Sequence, residues 1–273
     1  MMYRSRKIMI MLVAMVMSVS AFAQQSVQDG IKMYNYEKFQ TAERILTPLA
    51  AADPLANYYL GLCYIQDGDV AKAIAAFSKY PDDLANISGT VRVAFVNKDV
   101  AKGMQMAKDL AGKARKKEWQ PQKYAADAIT YTQGGDYQQA VTWYKDVLTK
   151  NPDDASTHIG LADALRKIPG GGGDAMTNYE AVTEKDAKNS LGFTRIGDLW
   201  YEAKNYDNAL ESYAKAKDAD NTNPLPYKSL ARAFASSGKY NGTTVTLAKT
   251  LDAAMSGNTT AVDVCIVYNF ITM

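Results

Sequence analysis

The chain contains few of the residues from which catalytic and metal sites are built. Its 273 residues include one histidine, His158, and two cysteines, Cys63 and Cys265. A lone histidine cannot form a multi-histidine metal site, and neither cysteine is near it in sequence. The H-E-x-x-H, G-x-S-x-G and C-x-x-C motifs are missing, and the acidic residues are scattered without an obvious pair. The sequence therefore predicts a protein that is not an enzyme, with no catalytic, metal-binding or cofactor-binding residues.

The chain also has little net charge of either sign. Its 31 basic and 29 acidic residues give a formal charge of +2, and three of the basic residues (Arg4, Arg6 and Lys7) lie at the N-terminus. Without that segment, 28 basic and 29 acidic residues remain, a net charge of −1. A balanced charge provides no general attraction to polyanions. Nucleic acid is therefore not an expected partner.

The longest apolar run lies at the N-terminus. Three basic residues precede an apolar stretch over residues 8–19, and the sequence A-F-A at 21–23 fits the small-x-small cleavage rule. The stretch is shorter than the ~20 residues that span a bilayer. We expect residues 1–23 to be a cleaved signal peptide and the protein to be exported, either periplasmic or secreted. No integral membrane span is expected after cleavage.

What the sequence has in abundance is a repeat of about 34 residues. A small residue is followed twelve positions later by Ala, and four positions after that by a large apolar residue or an aromatic one. This spacing occurs at Gly30/Ala42/Leu46, Gly61/Ala73/Phe77, Ala128/Ala140/Tyr144 and Gly197/Ala209/Tyr213. The small residues let two helices approach closely, and the large residue fills the space against the next pair. A fixed period of this length therefore predicts a stacked array of helix pairs.

These positions resemble the signature of the tetratricopeptide repeat (TPR) family, W-x2-L-G-x2-Y…A-x3-F…P. Phe193, Tyr124, Tyr227 and His158 stand where the family places Trp, so His158 is expected to be a packing residue. The resemblance implies an all-α, right-handed TPR solenoid of about seven helix-turn-helix units. The units are expected over residues 24–53, 54–84, 85–120, 121–154, 155–189, 190–223 and 224–256.

Three of these units depart from the pattern. Unit 85–120 lacks the small–aromatic spacing, and unit 224–256 has Thr243 where Ala is expected. Unit 155–189 contains the run Gly170–Gly173. Because no Gly-Lys-Ser/Thr follows it, we interpret the run as a long flexible turn, with Asp174 capping the next helix.

We expect residues 257–273 to form an apolar C-terminal tail or cap, which either docks on the last pair or, through residues 261–273, mediates self-association. Cys63 is expected to be buried in the second unit, and Cys265 lies in this tail. An extended array holds the two thiols too far apart for an intramolecular disulfide.

In the TPR family the first helices line a concave groove that binds partner chains. The matching positions here, predicted to form the partner-binding groove, are Asp163, Arg166, Lys167, Arg195, Asp198, Tyr201, Glu202, Lys228 and Arg232. The corresponding positions of the first units, such as Tyr34, Tyr58, Leu62 and Ile65, are more apolar. A separate basic patch comprises Lys113, Arg115, Lys116, Lys117 and Trp119. It either contacts an acidic partner or is a solvated helix C-terminus.

The resemblance implies a non-enzymatic protein–protein interaction scaffold in the periplasm or cell envelope. Such a scaffold binds a peptide or protein along the concave groove and needs no cofactor. The alternative is a soluble protein that binds a glycan or cell-wall fragment on tyrosine stacking platforms. Most of the tyrosines fall on packing positions of the repeat, which weakens this alternative.

Overall fold

The computed structural model describes residues 26–238. Within that range the chain forms thirteen α-helices and no β-strand, which confirms the all-α repeat fold. The helices are α1 (Val27–Asn35), α2 (Phe39–Leu46), α3 (Pro54–Gln66), α4 (Val70–Phe77), α5 (Leu84–Val96), α6 (Val100–Ala111), α7 (Gln120–Thr130), α8 (Tyr137–Lys150), α9 (Ala155–Leu165), α10 (Gly172–Lys185), α11 (Ser190–Glu202), α12 (Tyr206–Ala219) and α13 (Pro224–Ser237). The predicted signal peptide, Thr243 and the C-terminal tail with Cys265 lie outside the described residues.

Short polar side chains set where the helices begin. The Asp53 carboxylate accepts hydrogen bonds from the backbone N–H groups of Leu55 and Ala56, at 2.8 and 2.9 Å. Pro54 occupies the first turn of α3, where its missing N–H needs no partner. Asp83 and Asp154 cap α5 and α9 in the same way. These three first helices therefore start at a defined residue after the preceding pair.

Tight turns reverse the chain within the helix pairs. Gly68 has a φ of 77° in the turn between α3 and α4, a conformation that glycine adopts without strain. Lys98 and Lys204 take the corresponding turn positions with φ values of 63° and 59°. Three-residue turns of this kind bring the second helix back against the first.

Large residues of second helices pack against the neighbouring first helices. A Cβ atom added to Gly61, or to Gly89 on the next first helix, would lie 2.3 Å from the ring of Phe77. Likewise, a Cβ at Gly160 would lie 2.7 Å from the ring of Tyr144. Phe77 and Tyr144 are fully buried. This packing sets successive first helices side by side, so that they form one continuous inner face.

The interpretation of Gly170–Gly173 as a turn is wrong for its second half. Gly171 is the N-cap of α10, and Gly172 and Gly173 are its first helical residues. No atom lies within 4 Å of where a Cβ of Gly172 or Gly173 would be. Close packing therefore does not require glycine at these two positions. Asp174 is in the first turn of α10 and not at its cap. Its negative charge interacts favourably with the positive end of the helix dipole.

His158 forms polar contacts and is not an apolar packing residue. Its Nδ1 lies 2.9 Å from Asn178 Oδ1, and its Nε2 lies 3.0 Å from the Pro152 carbonyl oxygen. The half-buried ring therefore joins α9 to α10 and to the loop before α9.

Cys63 is fully buried in α3. Burial raises the pKa of its thiol to about 12, so Cys63 is a neutral and unreactive thiol at physiological pH. None of the helices over residues 26–238 has the length and apolar character needed to cross a membrane.

The first and sixth helix pairs meet through what we call the closing contact, in which Tyr36 contacts Asp220 and Thr222. The Tyr36 hydroxyl donates a hydrogen bond to the Asp220 carboxylate and lies 3.1 Å from Thr222 Oγ1. The Lys32 ammonium lies 5.3 Å from the centre of the Tyr36 ring. The array therefore curves far enough to bring its first pair against the end of α12.

Candidate functional site: a groove along the first helices

The first helices of the first six pairs line one groove with a volume of about 680 Å³. Residues from α1, α3 and α5 form one part of its wall, and residues from α7, α9 and α11 form the rest. Glu37, from the turn after α1, and Arg195, from α11, line the same groove. A cavity of this size accommodates a small molecule or a few residues of a peptide.

The N-terminal part of the groove is aromatic. The Tyr34 and Tyr59 rings meet at 5.3 Å between centroids and at a steep angle, as do the Tyr58 and Tyr59 rings. Tyr124 packs in the same manner against Tyr58 at 6.3 Å. Burial raises the pKa of Tyr34 to about 12, so its hydroxyl is neutral at physiological pH. These rings pack edge to face against one another, an arrangement that favours a rigid apolar wall.

The C-terminal part of the groove contains a charged network that begins at Asp163. This carboxylate is only 8% exposed and accepts hydrogen bonds from the hydroxyls of Tyr131 (3.0 Å) and Tyr179. Arg195 Nε lies 3.3 Å from Asp163 Oδ1 without the angle of a hydrogen bond. The Arg195 charge therefore balances that of Asp163, while its Nε–H stays unpaired.

The network continues to Asp198 on α11. Its Oδ1 accepts a hydrogen bond from Tyr213 at 2.8 Å and lies 3.3 Å from Arg232, while Arg195 lies 3.4 Å from its Oδ2. Arg166 lies 4.0 Å from Asp198. The three arginines at this end of the groove are thus already paired with carboxylates from the chain itself.

The remaining predicted groove residues adjoin this network. Arg166 also pairs with Glu202, and the Arg232 guanidinium lies 4.3 Å from the centre of the Tyr201 ring. Lys167 donates to the Thr130 carbonyl oxygen and lies 4.7 Å from the Tyr137 ring centre. Lys228 is half-buried on α13.

A regular Asp–Tyr pair, which sequence reasoning missed, links the two helices of three successive pairs. The first-helix carboxylate accepts from a second-helix hydroxyl 15 to 17 residues later, at Asp127/Tyr144, Asp163/Tyr179 and Asp198/Tyr213. The interpretation of the tyrosines as pure packing residues overlooked their hydroxyl ends. A buried Tyr hydroxyl needs a partner, and an Asp 15 to 17 residues before each of these Tyr residues was the available signal.

Arg92 is a further groove residue that sequence reasoning missed. It lies on α5, is 7% exposed and lines the groove beside Tyr34 and Tyr58. The Tyr131 ring centre is 5.3 Å from its guanidinium carbon. The signal for it was a single charged residue within the apolar run V-R-V-A-F of residues 91–95.

The predicted basic patch lies away from the groove. Lys113, Arg115, Lys116 and Lys117 are exposed in the loop after α6, which ends at Ala111. They therefore follow the helix C-terminus and do not form part of it. Trp119 is the half-buried N-cap residue of α7. Lys123, which continues this basic run in the sequence, instead lines the groove and pairs with Asp127 at 2.8 Å.

Sequence profiles identify the family. The profile described as "TPR repeat" matches residues 130–168, and the profile described as "Tetratricopeptide repeat" matches residues 34–86 and 170–224. Together they cover more than half of the chain, and the chain belongs to the tetratricopeptide repeat family. TPR proteins generally mediate protein–protein interactions.

Individual relatives resemble only part of the chain or share only its fold. A segment of 87 residues, 32% of this chain, is 30% identical to Hsp70-Hsp90 organizing protein 2 of Arabidopsis thaliana, and the chain spans 15% of that protein's length. The crystal structure of a thermophilic TPR protein in Thermus thermophilus has a TM-score of 0.51 at 18% identity, covering 67% of this chain and 99% of that one. That of a tetratricopeptide repeat protein from Parabacteroides merdae has a TM-score of 0.52 at 14% identity, covering 76% and 82%. At these identities the two structures show the fold alone.

Proposed function

We propose that the protein is a non-enzymatic scaffold that binds a peptide segment of a partner protein in the groove. The observation that carries this proposal is the continuous groove of about 680 Å³ along six first helices, with an aromatic part and a charged part. An extended peptide follows such a surface and presents successive side chains to both parts. The name of the Arabidopsis relative, an organizing protein for two other proteins, supports a protein partner.

The mutual packing of the groove tyrosines favours a peptide over a glycan. Sugar rings stack on the open faces of aromatic side chains, whereas Tyr34, Tyr58 and Tyr59 direct edges and faces toward one another. Tyr58 is only 5% exposed. These rings therefore suit the apolar side chains of a peptide better than a polysaccharide.

A groove-blocking variant tests the proposal. Ser156 is exposed on α9 and lines the groove, so Ser156→Trp fills the groove without entering the core. We expect the wild-type chain to retain a stoichiometric protein partner from a cell-envelope extract and Ser156→Trp to lose most of it. The retained protein is measured by quantitative mass spectrometry.

Thr142→Trp is the matched control for this experiment, because Thr142 is also exposed but lies on the second helix α8. It should retain as much partner as the wild type. Equal retention by both variants would place the partner outside the groove. Retention on peptidoglycan or polysaccharide alone, without a protein, would support glycan binding instead.

We further propose that the scaffold acts in the periplasm or cell envelope after export. The basic, apolar and small-residue segments over residues 1–23 support this proposal. Expression of the full chain in a Gram-negative bacterium should yield a mature protein that begins at Gln24, as read by intact mass. An uncleaved cytoplasmic product would contradict export.

A further inference from the structure

The basic patch, which lies outside the groove, carries four positive charges close together. Lys113, Arg115, Lys116 and Lys117 are all exposed. Among residues 26–238, none of these four side chains forms an ion pair or a hydrogen bond. Like charges repel, so the crowding of these cations is unfavourable unless an external anion neutralises them.

Exposed lysines elsewhere in the described chain do find internal partners. Lys72 pairs with Asp69 at 3.0 Å, and Lys215 pairs with Glu211 at 2.8 Å. These pairs join residues three or four positions apart, a spacing that places both side chains on one face of a helix. The patch residues follow the end of α6, where no such helical spacing exists. Their charges therefore remain available to a partner.

The loop that carries the patch, residues 112–119, is the longest connection between the described helices. Its one acidic residue, Glu118, accepts a hydrogen bond from the Arg115 backbone N–H at 3.4 Å and so does not neutralise a basic side chain. Lys150, the last residue of α8, donates from Nζ to the Glu118 carbonyl oxygen at 3.2 Å. This contact holds the loop against α8 and adds a fifth positive charge beside the patch.

The loops on either side of the patch are acidic. They are the α4–α5 loop and the α8–α9 loop, and their acidic residues are Asp82, Asp83, Asp153 and Asp154. Asp83 interacts electrostatically with Tyr124 of α7, and Asp154 does so with Lys123 of the same helix. Both acidic loops therefore lie near the helix that follows the patch. An anionic membrane surface is broad enough to meet all three loops, and the two acidic ones repel it.

A narrow acidic segment fits the patch better than a broad surface. Exposed charges act over only about 8 Å at physiological salt, so a segment that follows the basic loop is little affected by the flanking carboxylates. Single-stranded nucleic acid is also narrow, but it binds on several aromatic platforms. The patch contains one aromatic residue, the half-buried Trp119. TPR proteins generally mediate protein–protein interactions, which also favours a segment of a protein.

We propose that the basic patch is a second interaction surface, which binds an acidic segment of a partner protein. Residues 113–117 span at most about 17 Å when extended, so a complementary segment carries several Asp or Glu side chains within a similar length. None of the patch residues lines the groove. This surface is therefore separate from the proposed peptide site and does not depend on it.

Two amidated peptides test the charge requirement. Both are fluorescein-labelled Gly/Ser chains, of which the first has four Glu residues close together and the second has Gln at the same positions. Their affinities for the purified protein are measured by fluorescence anisotropy in low-salt buffer. We expect the Glu peptide to bind about tenfold or more tightly than the Gln peptide and to lose most of this advantage at about 0.5 M NaCl.

Reversal of two patch charges tests where the peptide binds. Lys116→Glu combined with Lys117→Glu should abolish the difference between the two peptides. Lys102→Glu combined with Lys188→Glu is the matched control, because it changes the net charge equally at two exposed lysines outside the patch and the groove. The control should keep most of the difference. Circular dichroism melting of both double variants verifies that they are folded.

A groove variant separates this inference from the proposed function. Ser156→Trp obstructs the groove and should leave the affinity for the Glu peptide unchanged. If Ser156→Trp abolishes that affinity, or if the folded patch variant binds the Glu peptide as the control does, the peptide does not bind at the patch and the inference is wrong. Equal affinity of the wild type for the Glu and Gln peptides would overturn it without any variant.

Other anions test the choice of partner. Vesicles of anionic phospholipid and a single-stranded oligonucleotide compete with the Glu peptide at equal concentrations of negative charge. Weaker binding of both supports an acidic protein segment, whereas tighter binding of either one would show that the patch serves that anion instead. None of these outcomes bears on groove binding, which the partner-retention experiment with Ser156→Trp decides by itself.

Discussion

Replacing Asp163 by alanine is expected to destabilise the array by about 3–5 kcal/mol, the usual cost of removing one partner from a buried charged network. Asp163 is buried and accepts hydrogen bonds from Tyr131 and Tyr179, while Arg195 supplies its counter-charge. The substitution leaves the fully buried Tyr179 hydroxyl without its acceptor and removes a partner from the partly exposed Tyr131 and Arg195 side chains. The melting temperature and the urea midpoint of the variant should both fall substantially.

Asp153→Ala is the control for that substitution. Asp153 also pairs with a basic residue, Lys185, but its side chain is 81% exposed. Water replaces such a partner readily, so the melting temperature should hardly change. If Asp163→Ala has the same melting temperature as Asp153→Ala, the Asp163 network does not stabilise the fold.

Gly89→Ala is expected to destabilise the protein by about 1–3 kcal/mol or more, as overpacking of a close-packed interior does. The added methyl group would lie 2.3 to 2.5 Å from three atoms of the Phe77 ring. That ring is 1% exposed and is held between α3 and α5, so it cannot rotate away without moving a helix. The free energy of unfolding, obtained from urea denaturation, measures the loss.

Substitution of Gly173 by alanine should not lower the free energy of unfolding. Gly173 lies in the first turn of α10, with no atom within 4 Å of where its Cβ would be. Because alanine has a higher helix propensity than glycine, Gly173→Ala should be neutral or stabilising by up to about 0.5–1 kcal/mol. Destabilisation by both substitutions would show that contact with Phe77 is not what requires glycine at position 89.

The fold could be predicted from the sequence because its main determinant is local and periodic. The spacing of Gly61, Ala73 and Phe77 encodes how one helix pair closes, and each pair repeats it. The usual spacing is not recognisable in the unit at 85–120, because the sizes of two side chains are exchanged. Val91 stands at the small position and Ala107 at the large one. Both are fully buried in one core cluster. Exchanged volumes preserve packing density although they erase the motif.

The groove was less predictable because its contacts join residues of different repeats. Register alone placed Asp163, Arg195 and Asp198 on the inner face, but it gave no information about which charges neutralise one another. The structure shows that Arg195 pairs with Asp163 and that the charge of Arg92 interacts favourably with Asp127. Each of these partners is about one repeat away in sequence.

The closing contact between the first and sixth pairs bears on the rate at which a partner enters and leaves. Two hydrogen bonds of Tyr36 contribute on the order of 1–3 kcal/mol, so an open form that lacks only this contact would have a population of roughly one in six to one in 160. If a partner binds in the groove as proposed, a peptide with a free end could thread into it without this opening. We expect a loop in the middle of a folded partner to associate and dissociate more slowly, because it would need the open form.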